Sequence, residues 1–173
     1  MIKILVICGK TSSGKNVVVN ELIKNHGYKQ VVTTTTRPMR KGEQQDVTYH
    51  FISDDEFKQK IKEGYFAEYK SYNTKFGTWY YGSASEDLEN ADDKSVIILT
   101  PQGYRDAKDK LSKKNIICVY LYANNTTLKK RLIKRGDDPE EAERRLSDDN
   151  EDFKGFEMEA NRIVYNNYDA NIN

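Results

Sequence analysis

The chain of 173 residues carries 28 Lys and Arg against 27 Asp and Glu, a net charge of +1, so no bulk field draws it to nucleic acid or to an anionic membrane. Hydrophobic residues make up 37% and charged residues 32%, against roughly 45–50% (glycine counted) and about 25% in ordinary globular chains. That balance excludes a membrane-spanning or disordered chain and predicts one small α/β domain with long charged helices.

No signal peptide or membrane-length apolar stretch is expected, which predicts a cytoplasmic protein, monomeric or a small homo-oligomer. Cys8 and Cys118 both fall in apolar runs and read as buried strand residues, not as a disulfide framework. His26 and His50 have no Cys or His spaced near them and do not read as metal ligands.

Ile2 to Cys8 is an apolar run of strand length, and Asn16 to His26 carries Val18, Leu22 and Ile23 at helical spacing. Between them lies Gly9-Lys10-Thr11-Ser12-Ser13-Gly14-Lys15. Strand, glycine loop, lysine, helix is the context of a phosphate-binding loop: backbone N–H groups turn inward around an anion, the helix N-terminus adds its positive end, and Lys15 adds a point charge. The place that usually holds a Mg²⁺-directed hydroxyl is Asn16, whose amide oxygen faces a metal more weakly.

Gly27 ends that helix, and Tyr28 to Thr36 is β-rich, with four successive threonines. Arg37 to Glu43 is a basic, turn-forming loop, and Val47 to Ile52 alternates as a strand. Ser53 to Glu56 reads as a capping box opening a helix to about Glu63. Tyr65 to Tyr72 is a further strand, Tyr72 to Thr78 a lengthened loop, Trp79 to Ser83 an aromatic stretch, and Ala84 to Asn90 a short helix. Ser95 to Thr100 and Ile116 to Tyr122 are continuous apolar runs, as buried parallel strands are. Helices are expected over Gln102 to Lys114, Thr126 to Arg135 and Asp138 to about Phe153, the last with an N1 proline and an acidic first turn. A helical turn within 156–161 and a short strand over Arg162 to Tyr165 close the pattern.

Alternation of β and α at both ends predicts a parallel sheet with helices on both faces. The expected division is a core of residues 1–29, 84–124 and 155–173, a β-rich insert over 30–83, and a helical lid over 125–154. A phosphate loop facing a projecting insert suggests two ligands brought together across a cleft. Within the insert, Arg37 and Arg40 can grip a phosphate bidentately. Glu68 can accept two hydrogen bonds from adjacent N–H groups, which guanine offers on one edge and the other common bases do not.

These stretches, with Thr35-Thr36-Arg37-Pro38-Met39-Arg40-Lys41-Gly42-Glu43, Phe66-Ala67-Glu68-Tyr69, Tyr80-Tyr81-Gly82-Ser83 and Glu143-Arg144-Arg145-Leu146, follow one another as in the guanylate kinase family, which the sequence resembles over nearly its whole length. The resemblance implies a P-loop NTPase-type fold, ATP as phosphoryl donor with Mg²⁺, and GMP as acceptor, with the choice between GMP and dGMP left open. It implies that Arg37, Arg40, Tyr49 and Tyr81 hold the GMP phosphate, that Thr33, Glu68 and Ser83 hold the base, and that Glu43 closes the arginine loop. The P-loop from Gly9 through Asn16, with Arg131 and Asn166, falls on the ATP side. Lys15, Arg37, Arg135 and Arg145 fall on the transferring phosphates.

The chain departs from the family where two aspartates are usual. Ile98 stands for the one on the Mg²⁺ side and Thr100 for the one near GMP. Asn16 is therefore the remaining side chain expected to face the metal. Two other readings stay open at this stage: a kinase for another nucleoside monophosphate, and a binding module that keeps the pocket without catalysis. Base stacking on single-stranded nucleic acid by Trp79 and the tyrosines is set aside against the near-neutral charge.

Overall fold

Alternate residues of the first strand, β1 (Lys3–Cys8), are buried on opposite sides of one sheet. Ile4, Val6 and Cys8 pack with Tyr104, Ala107, Phe153 and Phe156, whereas Ile7 packs with Val19 and Val96. A strand buried on both faces needs a helix layer on each, and that is the arrangement of a parallel sheet. The computed structural model describes residues 3–111 and 115–167. Ile2 of the expected first strand, 112–114 of the helix expected to reach Lys114, and the tail 168–173 lie outside the described residues.

The elements follow in order: β1, α1 (Lys15–His26), β2 (Lys29–Gln30), β3 (Thr34–Thr35), β4 (His50–Phe51), α2 (Asp54–Lys62), β5 (Phe66–Thr74), β6 (Gly77–Ala84), α3 (Ser85–Asn90), β7 (Ser95–Ile98), α4 (Pro101–Lys110), β8 (Asn115–Tyr122), α5 (Asn125–Arg135), α6 (Pro139–Asp152), a 3₁₀ turn at Phe156–Met158, and β9 (Arg162–Tyr165). A five-stranded sheet runs β2-β7-β1-β8-β9 with every pairing parallel. A four-stranded sheet runs β4-β3-β6-β5, its β3–β6 and β5–β6 pairs antiparallel. Among the described residues no helix is long and apolar enough to cross a membrane.

Helix starts differ in a way that matters below. Ser53, Thr100, Asn124 and Asp138 each accept a first-turn N–H at the head of α2, α4, α5 and α6. Helix α1 starts from Gly14 with no side-chain cap, so its first-turn donors stay available to an anion.

Two expected elements change form. The strand expected over Val47 to Ile52 shrinks to His50–Phe51. Asp46 adopts φ 60°, and the Gln44 carbonyl accepts the N–H groups of Val47 and Thr48, so the segment turns where it was expected to extend. The loop expected over Tyr72 to Thr78 is instead ordered hairpin: β5 and β6 stay paired to Thr74 and Gly77, leaving a two-residue turn.

The second sheet is tied to α2 by one ring. Phe57 is fully buried, stacked on Phe66 with 4.3 Å between centroids and 5.3 Å from Tyr80. Phe57→Ala is expected to cost roughly 3–5 kcal/mol of stability, since both rings would face a cavity; urea unfolding monitored by circular dichroism measures it.

Candidate functional site

Both sheets open onto one cleft of about 1100 Å³. At its floor the segment Gly9 to Lys15 leaves β1 and enters α1. Gly9 is needed where it stands: a Cβ there would lie 2.5 Å from Ser13 Oγ and 2.8 Å from the Leu121 carbonyl oxygen. The Lys15 ammonium donates to the carbonyls of Gly9 (2.7 Å) and Lys10 (2.9 Å), which folds it across the loop. Burial lowers its pKa, and the charge of Asp149 works against that shift.

Other carbonyls of the loop are held from below. Arg131 donates to Ser12 O (3.4 Å) and Asn166 O (2.9 Å), and the Asn166 amide donates to Ser13 O (2.9 Å). Asn166, expected on the ATP side, thus has its side-chain nitrogen engaged in buttressing the loop. Thr11 N–H points the other way and donates to Asp149 Oδ2 at 2.5 Å, while Lys10 Nζ donates to the neighbouring Asn150 (2.6 Å). Burial raises the Asp149 pKa, and the Thr11 hydrogen bond and the Lys15 charge pull it back. Asn16 lines the cleft beside this loop.

Across the cleft, Arg37 is 4% exposed and bidentate to Glu43, at 2.8 and 3.0 Å. Its guanidinium also donates to Pro38 O (2.6 Å) and lies over Tyr49 and Phe51, 5.4 and 5.7 Å from the ring centres. Burial opposes the Arg37 charge, but the Glu43 bond and the nearby Tyr81 and Glu43 outweigh it and raise the pKa. Glu43 takes the Arg40 N–H as well (2.7 Å), so its carboxylate bridges two parts of the loop. Tyr49, its pKa raised by burial, meets Tyr81 edge-on, and Tyr81 meets Tyr72.

Deeper in the insert, Ser83 Oγ–H donates to Glu68 Oε1 at 2.5 Å. Burial raises the Glu68 pKa against that hydrogen bond. Glu68 Oε2 lies 2.8 Å from the point a Cβ on Gly103 would occupy, so only glycine admits the carboxylate there. Thr100 Oγ1 accepts Gly103 N–H (3.1 Å) and is engaged as the cap of α4. Glu68, Ser83, Thr100 and Gly103 are thus brought together. Of these only Thr100 lines the cleft; Thr33 is not brought to the group, and its carbonyl accepts His50 N–H.

Helices α5 and α6 close the third side. Arg135 is bidentate to Asp137 at 2.5 Å, which raises its pKa, and Arg145 reaches the same carboxylate at 3.6 Å. Glu141, buried, accepts from Arg144 and Arg145, each at 2.9 Å. Arg40 registers the outcome. Its pKa is lowered by burial and then by the charges of Arg37, Arg145 and Arg135. Four guanidinium groups, from the Arg37–Glu43 loop, α5 and α6, thus line one cleft. The arrangement can bind polyphosphate at one end and a phosphomonoester at the other, with cations between.

Asp149 was missed in the sequence, where the acidic tail of α6 reads as solvated surface. One signal was present: Asp149 lies four residues after Arg145, on the same helix face.

Comparison with known proteins gives a consistent result. A family model described as Guanylate kinase matches residues 1–169. The guanylate kinase of Clostridium tetani is 36% identical over 141 residues, 80% of this chain and 66% of that protein. Those of Hydrogenovibrio crunogenus (34% identical; 95% of this chain and 80% of that protein) and Fusobacterium nucleatum (31%; 94% and 86%) match over more of their length. The crystal structure of guanylate kinase from Anaplasma phagocytophilum superposes with a TM-score of 0.65, covering 96% of this chain and 79% of that one at 24% identity, a likeness of fold.

The Glu141 contacts generate a stability prediction. Its pKa is lowered by the hydrogen bond from Arg144, then that from Arg145, against burial. A carboxylate depressed in the folded state contributes stability above its unfolded pKa and loses it as pH falls through the folded value. Glu141→Gln is expected to cost roughly 1–3 kcal/mol at neutral pH. Urea unfolding should show the gap from wild type closing below about pH 4.

Proposed function

Because this chain belongs to the guanylate kinase family of nucleoside monophosphate kinases, we propose that it transfers the γ-phosphoryl group of ATP to GMP, with dGMP as a further acceptor. The observation that carries the reading is the facing of two phosphate grips, the Gly9–Lys15 loop and the Arg37–Glu43 loop, across a single cleft.

ATP phosphates enter the loop from the side where Thr11 N–H points, replacing the Asp149 carboxylate there. Lys15, released from the Gly9 and Lys10 carbonyls, turns to the outer phosphates. The GMP phosphate is held by Arg37, Arg40, Tyr49 and Tyr81, and Glu43 keeps Arg37 aimed. Glu68, with Ser83 beside it, accepts from the guanine edge; neither side chain lines the cleft, and Thr100, which does, meets Glu68 at Gly103. Thr33 belongs to the base side through the family resemblance alone. A GMP phosphate oxygen, already ionised, attacks the γ-phosphorus in line. The new P–O bond forms as the bond to the β-bridging oxygen breaks, and ADP leaves without a general base. Arg135 and Arg145 stabilise the charge on the transferring group, as phosphoryl transfer requires.

Mg²⁺ fits the hard oxygen donors at the loop, the Asn16 amide and the Asp149 carboxylate, as outer contacts. Among the described residues no group of three His, Cys, Asp or Glu could cage a metal, so nucleotide phosphates and water would supply most of its ligands. When bound, the ion neutralises phosphate charge.

An ADP-release assay with ATP and Mg²⁺ against GMP, dGMP, AMP, CMP and UMP tests the proposal. Turnover is expected with GMP and dGMP. Turnover with another monophosphate instead would remove Glu68 from base reading, and GMP binding without turnover would make the chain a binding module. Lys15→Ala should lower kcat by roughly 10²–10³ and leave the GMP Kd unchanged. Glu68→Gln should reduce the preference for GMP over AMP by roughly 10–100-fold, read from kcat/KM for each.

A further inference from the structure

The paired ends of β5 and β6, within the insert, lie against α6. Three contacts join them. Lys70 pairs with Asp152, the Arg145 guanidinium lies 6.0 Å from the Trp79 ring centre, and Lys75 Nζ meets Asp138 Oδ2 at 2.6 Å. The α6 partners are residues 138, 145 and 152. Seven-residue spacing places them in one stripe along a helix. The stripe reads negative, positive, negative, and the hairpin answers with an ammonium, an aromatic face and an ammonium.

The middle contact is the informative one. Trp79 is half-buried and held flat by Phe76, whose ring stacks on it at 6.2 Å and 8°. Arg145 is thus bounded by Trp79 on one side and by Glu141 and Asp137 on the others. Arg145 also lines the cleft, as Arg40 does. Lys75 grips Asp138, the residue that caps α6, and so fixes the start of the same helix.

We infer that Trp79 is a positioning residue for Arg145, and that the hairpin is a clasp through which acceptor binding on the insert and donor binding under the lid favour each other. The inference rests on the assignment of the two nucleotides made above. An exposed ion pair is weak alone, so the effect belongs to the aligned set. It is a coupling between sites and therefore reciprocal.

The test compares wild type with Trp79→Leu, Trp79→Phe and Lys75→Ala. In wild type, GMP should tighten binding of the β,γ-methylene analogue of ATP by about fivefold or more. Trp79→Leu should bring that ratio towards one and lower kcat about tenfold, with the GMP KM changed less than about twofold. Trp79→Phe keeps a π face and should retain most of both. Full coupling and kcat in Trp79→Leu would overturn the inference, as would equal losses in Phe and Leu.

A readout without nucleotide separates this inference from the function on which it rests. Trp79 is the only tryptophan in the chain. Its emission should move to longer wavelength in Lys75→Ala as α6 lifts away. If wild type turns over no monophosphate, the functional reading falls, and the clasp stands with that shift or falls without it.

Discussion

Cations that must meet around one anion repel each other, and this cleft depends on the carboxylates that hold them there. Glu43 stands behind Arg37, Asp137 behind Arg135, and Glu141 behind Arg144 and Arg145. Each pair fixes a guanidinium while leaving net positive potential in front of it. Arg40 shows the remaining tension: it gives its backbone N–H to Glu43, and its own charge is held down by burial and by the three guanidiniums around it. A phosphate placed among them relieves that repulsion. On the proposed function, the site is set up for charge that arrives with substrate and shifts during transfer, which leaves little reorganisation for the reaction itself.

The fold delivers these groups from three separate places. The phosphate loop hangs from the end of β1 at the centre of the parallel sheet. The arginine loop follows β3 in the second sheet, and the lid arginines sit either side of the turn at Gly136. Helices α1 and α3 start without a side-chain cap, and of the two only α1 opens onto the cleft, where its first-turn donors can meet an anion. The hairpin then joins the second and third places directly, without passing through the core.

Much of this is legible in the residues, because local chemistry decides it. A glycine loop between a buried strand and a helix, followed by a lysine, reads more readily as a phosphate loop than as a plain strand-to-helix turn. Arg37, Arg40 and Glu43 lie within seven residues, and their contacts are made within that loop. Less legible is what depends on distant partners. Asp149 becomes important because α6 packs it against Thr11, 138 positions earlier. Asn166 acts on the loop through Ser13 by the same kind of long-range contact. Thr100 holds an aspartate's place in the family pattern, yet here its hydroxyl caps a helix. The hairpin at Lys75 and Phe76 looked like a loop because its strand residues, exposed on both sides in part, lack the apolar alternation that announces a strand.

The Asp149 contact has a consequence for what the loop will accept. With a carboxylate of the protein already on Thr11 N–H, any incoming anion takes part in an exchange, and the resident competitor is tethered at high effective concentration. A small ion that makes one contact gains nothing by displacing it. On the proposed function, a triphosphate that reaches the loop, Lys15 and the arginines of α5 and α6 together does. The loop would then sort anions by how many places they touch, not by charge alone. On that reading the same group works in reverse on the way out, refilling the loop as the shorter diphosphate loosens.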